Sequence, residues 1–261
     1  MKKGMNRTLN SLIIVMVTAI LLFTFATPLF GKLSKDGDRE GCKLSMLVRT
    51  GTTIDAGPVK VDSPISPSCP RYSLTFFDDK YELSKGTDTI EKKSVDELND
   101  FIVNREIAEQ LRDCWYQFGA GKIDTFWNPG WLVGDFNDDN RHCYICSEIS
   151  FDDSVNQEVF TGFYEYLQDN TISGKHEAEG LKLYDYIANN GGYCQEDWFT
   201  GDNCWEAYAA EKNIDVKPEF KKDKKYAAVF IRHGEDRKAT TLNAYIMLTS
   251  EMNKQCDTYV S

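Results

Sequence analysis

The sequence predicts an α+β fold: a mainly antiparallel sheet packed with about three helices, stapled by disulfides and carried behind a single N-terminal transmembrane helix. Three observations predict it. One long apolar run stands near the start, strand and helix periodicities cluster instead of alternating, and an even number of cysteines all follow the run. Ser11–Phe30, SLIIVMVTAILLFTFATPLF, is a run of 20 residues without a charge. At ~1.5 Å per residue a helix of that length reaches about 30 Å, the thickness of a bilayer's hydrocarbon core. The run is longer than the roughly 7–15 apolar residues of a cleaved signal, and Pro28 stands close behind the small residues Thr24 and Ala26 that imitate a cleavage site. Retention as an anchor is therefore preferred; cleavage would leave a secreted domain of the same chemistry. Lys2, Lys3 and Arg7 precede the run with no acid among them, which favours an inside N-terminus, although Lys32, Lys35, Arg39 and Lys43 beyond it dilute the asymmetry. The expected organisation is a cytoplasmic N-terminus over 1–10, an anchor over 11–30, a stalk over 31–41 and an extracellular α+β domain over 42–261.

The elements follow in order. Gly31 to Gly41, GKLSKDGDREG, is charged and punctuated by glycine, which suits a flexible stalk. Residues 52–72 hold Pro58, Pro64, Pro67 and Pro70 among serines and threonines and read as an extended surface loop. Tyr72–Phe77 and Tyr81–Leu83 flank Asp78-Asp79-Lys80 as a hairpin. From Ser94, read as a cap ahead of an acidic first turn, the pattern becomes helical. Val103, Ile107, Leu111, Cys114 and Phe118 recur at spacings of four, four, three and four, one apolar stripe ending at Gly119. His142–Phe151 alternates as a strand, with Cys143, Ile145, Ile149 and Phe151 on one face and Tyr144, Cys146 and Glu148 on the other. Two helices are expected over Val155–Gln168 and Leu181–Asn189. Two further strands are expected over Tyr226–Arg232 and Leu242–Thr249, around the polar segment His233–Thr240.

Charge narrows the partners. After position 30 the chain carries 41 acidic residues against 27 basic ones, a net −14. Such a surface is a poor partner for nucleic acid or anionic lipid, and it keeps a domain soluble. The membrane, reached through Ser11–Phe30, and another surface protein or cell are the partners expected; no cofactor is.

The strings CWYQFGAGKIDTF (Cys114 to Phe126), CYICSEISFD (Cys143 to Asp152), FTGFYEYLQDNTISGK (Phe160 to Lys175) and YDYI (Tyr184 to Ile187) carry a resemblance. With CWxxFGxGKxDxF and CxIC as its motifs, the chain resembles a group of uncharacterised membrane-anchored proteins from small-genome archaea of the DPANN type. The resemblance covers residues 10 to 190 in order, leaving Trp127–Arg141 and the Cys194–Cys204 region outside it. It implies an anchor, an exported domain and no established activity.

The eight cysteines read first as disulfides if the domain is exported. Cys114 on the helix stripe and Cys143 on the apolar strand face suggest a Cys114–Cys143 bridge. Cys146, pointing to the other face, needs another partner, for which Cys256 is the least constrained candidate. Cys194–Cys204 would close a polar loop and Cys42–Cys69 the proline-rich one, among 105 possible connectivities. A sharper reading makes Cys143-Tyr144-Ile145-Cys146 the active pair of a thiol-disulfide oxidoreductase. Such a pair needs a helix N-terminus to lower the thiol pKa, whereas SEISFD continues as strand. A zinc site from Cys114, Cys143, Cys146 and either His142 or Cys194 lacks a second CxxC.

Two further motifs are incomplete. Arg232-His233-Gly234-Glu235 after an apolar strand resembles the phosphate-accepting turn of the histidine phosphatases, but only 26 residues follow and none is histidine. Asp135, Asn137 and Asp139 space like the start of a calcium loop, yet Asn140 replaces the turn glycine and Cys146 the closing glutamate. Trp127 and Trp131 around Asn128-Pro129-Gly130 offer a contact patch. No catalytic constellation is complete. The leading expectation is a non-enzymatic, membrane-anchored surface protein for envelope structure or cell contact. The alternatives are an exported oxidoreductase using Cys143 and Cys146, and a pilin-like assembly subunit suggested by Lys2-Lys3-Gly4 before the apolar run. Against the latter, the glycines at 31, 37 and 41 argue that the helix does not continue.

Overall fold

The structure is a computed structural model and describes residues 35–51, 54–56, 59–61, 69–120, 141–173, 178–188, 204–235 and 239–259. The chain divides into two compact units, Met1–Asp38 and Arg39–Ser261, and the α+β fold lies in the second. Among the described residues no helix is long and apolar enough to cross a membrane; Ser11–Phe30 lies outside them.

In chain order the elements are α1 (Lys35–Gly51), β1 (Ile54–Ala56), β2 (Val59–Val61), β3 (Tyr72–Phe76), β4 (Lys80–Lys85), β5 (Asp88–Ser94), α2 (Asp100–Gln117), β6 (Arg141–Phe151), β7 (Val159–Phe160), α3 (Phe163–Asp169), α4 (Leu183–Ala188), α5 (Cys204–Lys212), β8 (Phe220–Lys221), β9 (Tyr226–Glu235), β10 (Ala239–Leu248), α6 (Met252–Gln255) and β11 (Thr258–Tyr259). A 3-10 turn, Thr249–Glu251, leads into α6.

The sheet runs β10-β9-β6-β3-β4-β5, and β6 is its hub. One edge of β6 pairs antiparallel with β9. The other is shared, β11 running parallel along His142–Cys143 and β3 parallel along Ser147–Phe151. The remaining pairings, β3-β4, β4-β5 and β9-β10, are antiparallel, so the sheet is mainly antiparallel as expected. β4 and β5 join through Gly86-Thr87, with Gly86 at φ +60°, a conformation that L side chains rarely adopt and a two-residue hairpin needs.

Burial shows where the layers lie. β3 and β4 alternate between buried and half-buried positions, the mark of a sheet covered on one face. Tyr226–Ile231 and Leu242–Met247 are buried without interruption, so β9 and β10 are covered on both. α2 covers one face: Phe118 stacks on Phe230 at 4.3 Å and meets Tyr144 edge-on at 4.9 Å. α5 and the C-terminal segment cover the other, where Tyr245 stacks on Trp205 at 5.4 Å. Trp205 also donates its indole N–H to the carbonyl of Ala244 (2.9 Å), closing part of the free edge of β10.

The expected stripe of α2 is present, with Val103, Ile107, Leu111, Cys114 and Phe118 all buried. Its start differs from expectation. Ser94 remains in the ladder opposite Lys80, and the amides of Val95 and Leu98 bond back to Asp79 and Asp78. The cap is therefore Asn99, whose side chain accepts from the Ile102 amide at 3.1 Å. The helix expected over Val155–Gln168 is cut to Phe163–Asp169, because Val159 and Phe160 pair with Lys221 and Phe220 as a small ladder. Part of the loop expected over 52–72 pairs as the hairpin β1-β2.

Of the expected stalk over 31–41, residues 31–34 lie outside the described residues, and the rest is helix, not flexible chain. From Lys35 the chain is helical through Gly37 and Gly41 to Gly51. Arg39, Cys42 and Met46 fall on one face of that helix and are buried. Burial of that face and the covalent tether at Cys42 outweigh the ~1 kcal/mol that each glycine costs a helix. Gly41 is exposed, and a Cβ built there meets nothing within 4 Å. Gly41→Ala is therefore expected to stabilise the domain by about 0.5–1 kcal/mol, read as a rise of roughly 1–4 °C in Tm. An unchanged Tm would mean that this segment lies outside the cooperative unit.

Candidate functional site

The CYIC segment lies in the middle of β6, and its geometry follows from one irregularity. Tyr144 pairs with Phe230 and Ile145 with Val229, but Ala228 pairs with Ser147, leaving Cys146 as an extra residue. Such a bulge reverses the alternation beyond it. Cys143 and Ile145 consequently face the α5 side, whereas Ile149 and Phe151 face the other, with Tyr144 and Cys146. The sulfurs follow: Cys146 bonds Cys114 on α2 (Cα–Cα 5.4 Å), and Cys143 bonds Cys256 at the end of α6 (5.6 Å). The expected Cys114–Cys143 and Cys146–Cys256 bridges are thus exchanged, because strict alternation puts the two cysteines on the wrong sides. Cys42–Cys69 is paired as expected, at 4.5 Å.

These bridges use both CYIC sulfurs on different partners. Cys143 and Cys146 are buried, neither opens a helix, and Gln117 donates its amide to the Cys146 sulfur at 3.0 Å. A CxxC at a helix N-terminus, the arrangement that activates a thiol in the oxidoreductases, is not what this segment forms. Each closure stabilises by about 2–4 kcal/mol, and on loop-entropy grounds the largest share belongs to Cys143–Cys256, which spans 113 residues.

A second cluster joins α1 to α2. Arg39, 4% exposed, forms a buried ion pair with Asp113, which also takes Arg112 at 2.6 Å; the same Arg112 reaches Glu109 at 2.5 Å. The Arg39 guanidinium lies 5.0 Å over the Tyr72 ring. One turn on, the Tyr116 hydroxyl donates to Glu40 and Lys43 stands 4.0 Å over the Tyr116 ring. Glu106, Gln110, Asp113 and Gln117, at spacings of four, three and four, give α2 a buried polar stripe beside its apolar one. Two buried charges in contact tolerate loss of neither partner, so this junction has a defined geometry.

The other polar features are local. Glu206 on α5 accepts from the hydroxyls of Tyr164 and Tyr184, the latter at 2.8 Å, fastening three short helices together. Beside it, along β10, an open crevice of about 590 Å³ has Ile214, Tyr226, Ile246 and Met247 on its floor and Lys217 and Lys221 on its rim. Arg232–Glu235 lies inside β9, with His233 buried, opposite Arg141 and Thr241, and 5.8 Å from the Tyr208 ring. A nucleophilic imidazole must reach its substrate, and this one is 5% exposed.

Asp135, Asn137 and Asp139, Trp127 and Trp131, and Cys194 all lie outside the described residues; Cys204 opens α5. Among the described residues no group of three or more His, Cys, Asp and Glu side chains is placed to hold a metal ion. The Arg39–Asp113 contact has no local sequence signal, since the partners stand 74 positions apart. No family model, curated protein or solved structure matches the chain.

Burial sets a pH limit on this core. It pushes the Tyr144 phenol, which donates to the carbonyl of Cys69, up to about 12, and it raises Tyr245 well above its ordinary range. In an unfolded chain both ionise near 10. Their folded pKa values are raised, so the stability they contribute is fully present below about pH 10 and is lost as pH rises through about 12. In an alkaline titration the last phenolates are expected to appear together with loss of circular dichroism. Ionisation of all 13 tyrosines near pH 10 with the fold intact would contradict this packing.

Proposed function

We propose that the chain is a single-pass, membrane-anchored surface protein whose stapled domain serves envelope structure or contact with another protein or cell, without catalysis of its own. The observation that carries this reading is the junction after the apolar run. Arg39, Cys42 and Met46 are buried, so the helix is part of the fold from Arg39 onward. Three disulfides among the described residues suit an oxidising exterior, and the acidic balance suits a soluble surface away from nucleic acid.

One observation favours a second reading, the pilin-like subunit. The glycines at 37 and 41 do not interrupt the helix, so the ground for setting that reading aside falls away over Lys35–Gly51.

The test is topology in intact cells. Protease and a membrane-impermeant label added from outside are expected to reach residues 42–261, and the protein is expected to sediment with membranes and resist an alkaline wash. A soluble cytosolic chain with reduced sulfurs would overturn the proposal. A mature N-terminus at Met5, with filaments, would replace it by the second reading.

A further inference from the structure

We propose that Cys42–Cys69 is a reducible latch, opened by an external dithiol while the α+β core and its other two bridges stay intact. The inference concerns the chemistry of the fold and does not depend on the membrane reading. Of the six bonded cysteines described, Cys42, Cys114, Cys143, Cys146 and Cys256 are each no more than 5% exposed; Cys69 alone is half-buried. Thiol-disulfide exchange requires a thiolate to reach a sulfur, so access ranks the three bonds, with Cys42–Cys69 first.

The atoms balance in two steps. One thiolate of the dithiol attacks the Cys69 sulfur, forming a mixed disulfide as the Cys42–Cys69 bond breaks and the electron pair leaves on Cys42. The second thiolate then attacks the reductant's own sulfur, closing a cyclic disulfide and releasing Cys69. Two electrons pass from the dithiol to the protein and both cysteines end as thiols. The Cys42 side is prepared for this outcome, because its sulfur lies 3.6 Å from the carbonyl of Gln117, an acceptor for the thiol proton.

Opening leaves the neighbours held by other means. α1 keeps the Arg39–Asp113 pair and buried Met46, and the segment just ahead of β3 keeps the Tyr144 bond to the carbonyl of Cys69. What is released is the closure of the stretch between the cysteines, which includes the β1-β2 hairpin.

The experiment titrates the native full-length protein with dithiothreitol, traps free thiols by alkylation and locates them by mass spectrometry, with circular dichroism in parallel. Cys42 and Cys69 are expected to label together at least about tenfold faster than the other four, at unchanged dichroism. Equal rates for all six, or loss of dichroism as Cys42 and Cys69 open, would overturn the proposal. As a second variant, Cys42→Ser with Cys69→Ser is expected to fold and to be cleaved between residues 47 and 68 as fast as reduced wild type and faster than oxidised wild type. Failure of that double variant to fold, or cleavage no faster than in the oxidised protein, would also overturn it.

Discussion

Cys146 stands outside the ladder that joins β6 to β9, and the rest of the fold is arranged around that extra residue. Without it, Ile149 and Phe151 would share the face of Cys143, and Tyr144 and Cys146 would lie on the face opposite them. With it, the apolar positions before and after the bulge serve different layers. The first half of β6 gives Cys143 to the α5 and C-terminal layer, and the second half gives Ile149 and Phe151 to the other side. The central strand is bonded covalently in both directions, to Cys114 on one side and Cys256 on the other. It is also hydrogen-bonded to three strands, β9, β3 and β11.

That arrangement explains why the helix over the sheet carries two kinds of buried residue. The apolar stripe of α2 meets the aromatic rings of β6 and β9, while Glu106, Gln110, Asp113 and Gln117 point to its flank. The flank is where α1 docks, through Asp113 to Arg39 and through Tyr116 to Glu40 and Lys43. Gln117 links the two regions: its side-chain amide reaches the Cys146 sulfur, and its carbonyl oxygen lies 3.6 Å from the Cys42 sulfur.

Sequence periodicity disclosed what is repetitive. The stripe from Val103 to Phe118, the strand from His142 to Phe151 and the hairpin around Arg232 and Leu242 all follow regular spacings, and the structure forms each. It failed where one residue breaks the period or where tertiary contact overrides propensity. The bulge at Cys146 has no composition of its own, so alternation was carried one residue too far and exchanged two bridges. Gly37 and Gly41 spoke for a stalk, yet burial of Cys42 and Met46 decided for helix. α5, which closes the edge of β10, has scattered apolar positions and no clean stripe to announce it. Of the polar clusters, only the cysteines were visible beforehand; the partners Arg39 and Asp113, or Glu206 with Tyr164 and Tyr184, are far apart in the chain.

The bulge puts Cys146, and not Cys143, on the face of β6 that carries Ile149 and Phe151 and lies under α2. Non-reducing peptide mapping tests it directly, provided that a chymotryptic cut after Tyr144 separates Cys143 from Cys146. The structure requires the Cys114 peptide to be linked to the fragment containing Cys146, and the Cys256 peptide to the fragment containing Cys143. Cys114 joined to Cys143 would restore a regular strand and contradict the bulge on which the layers rest.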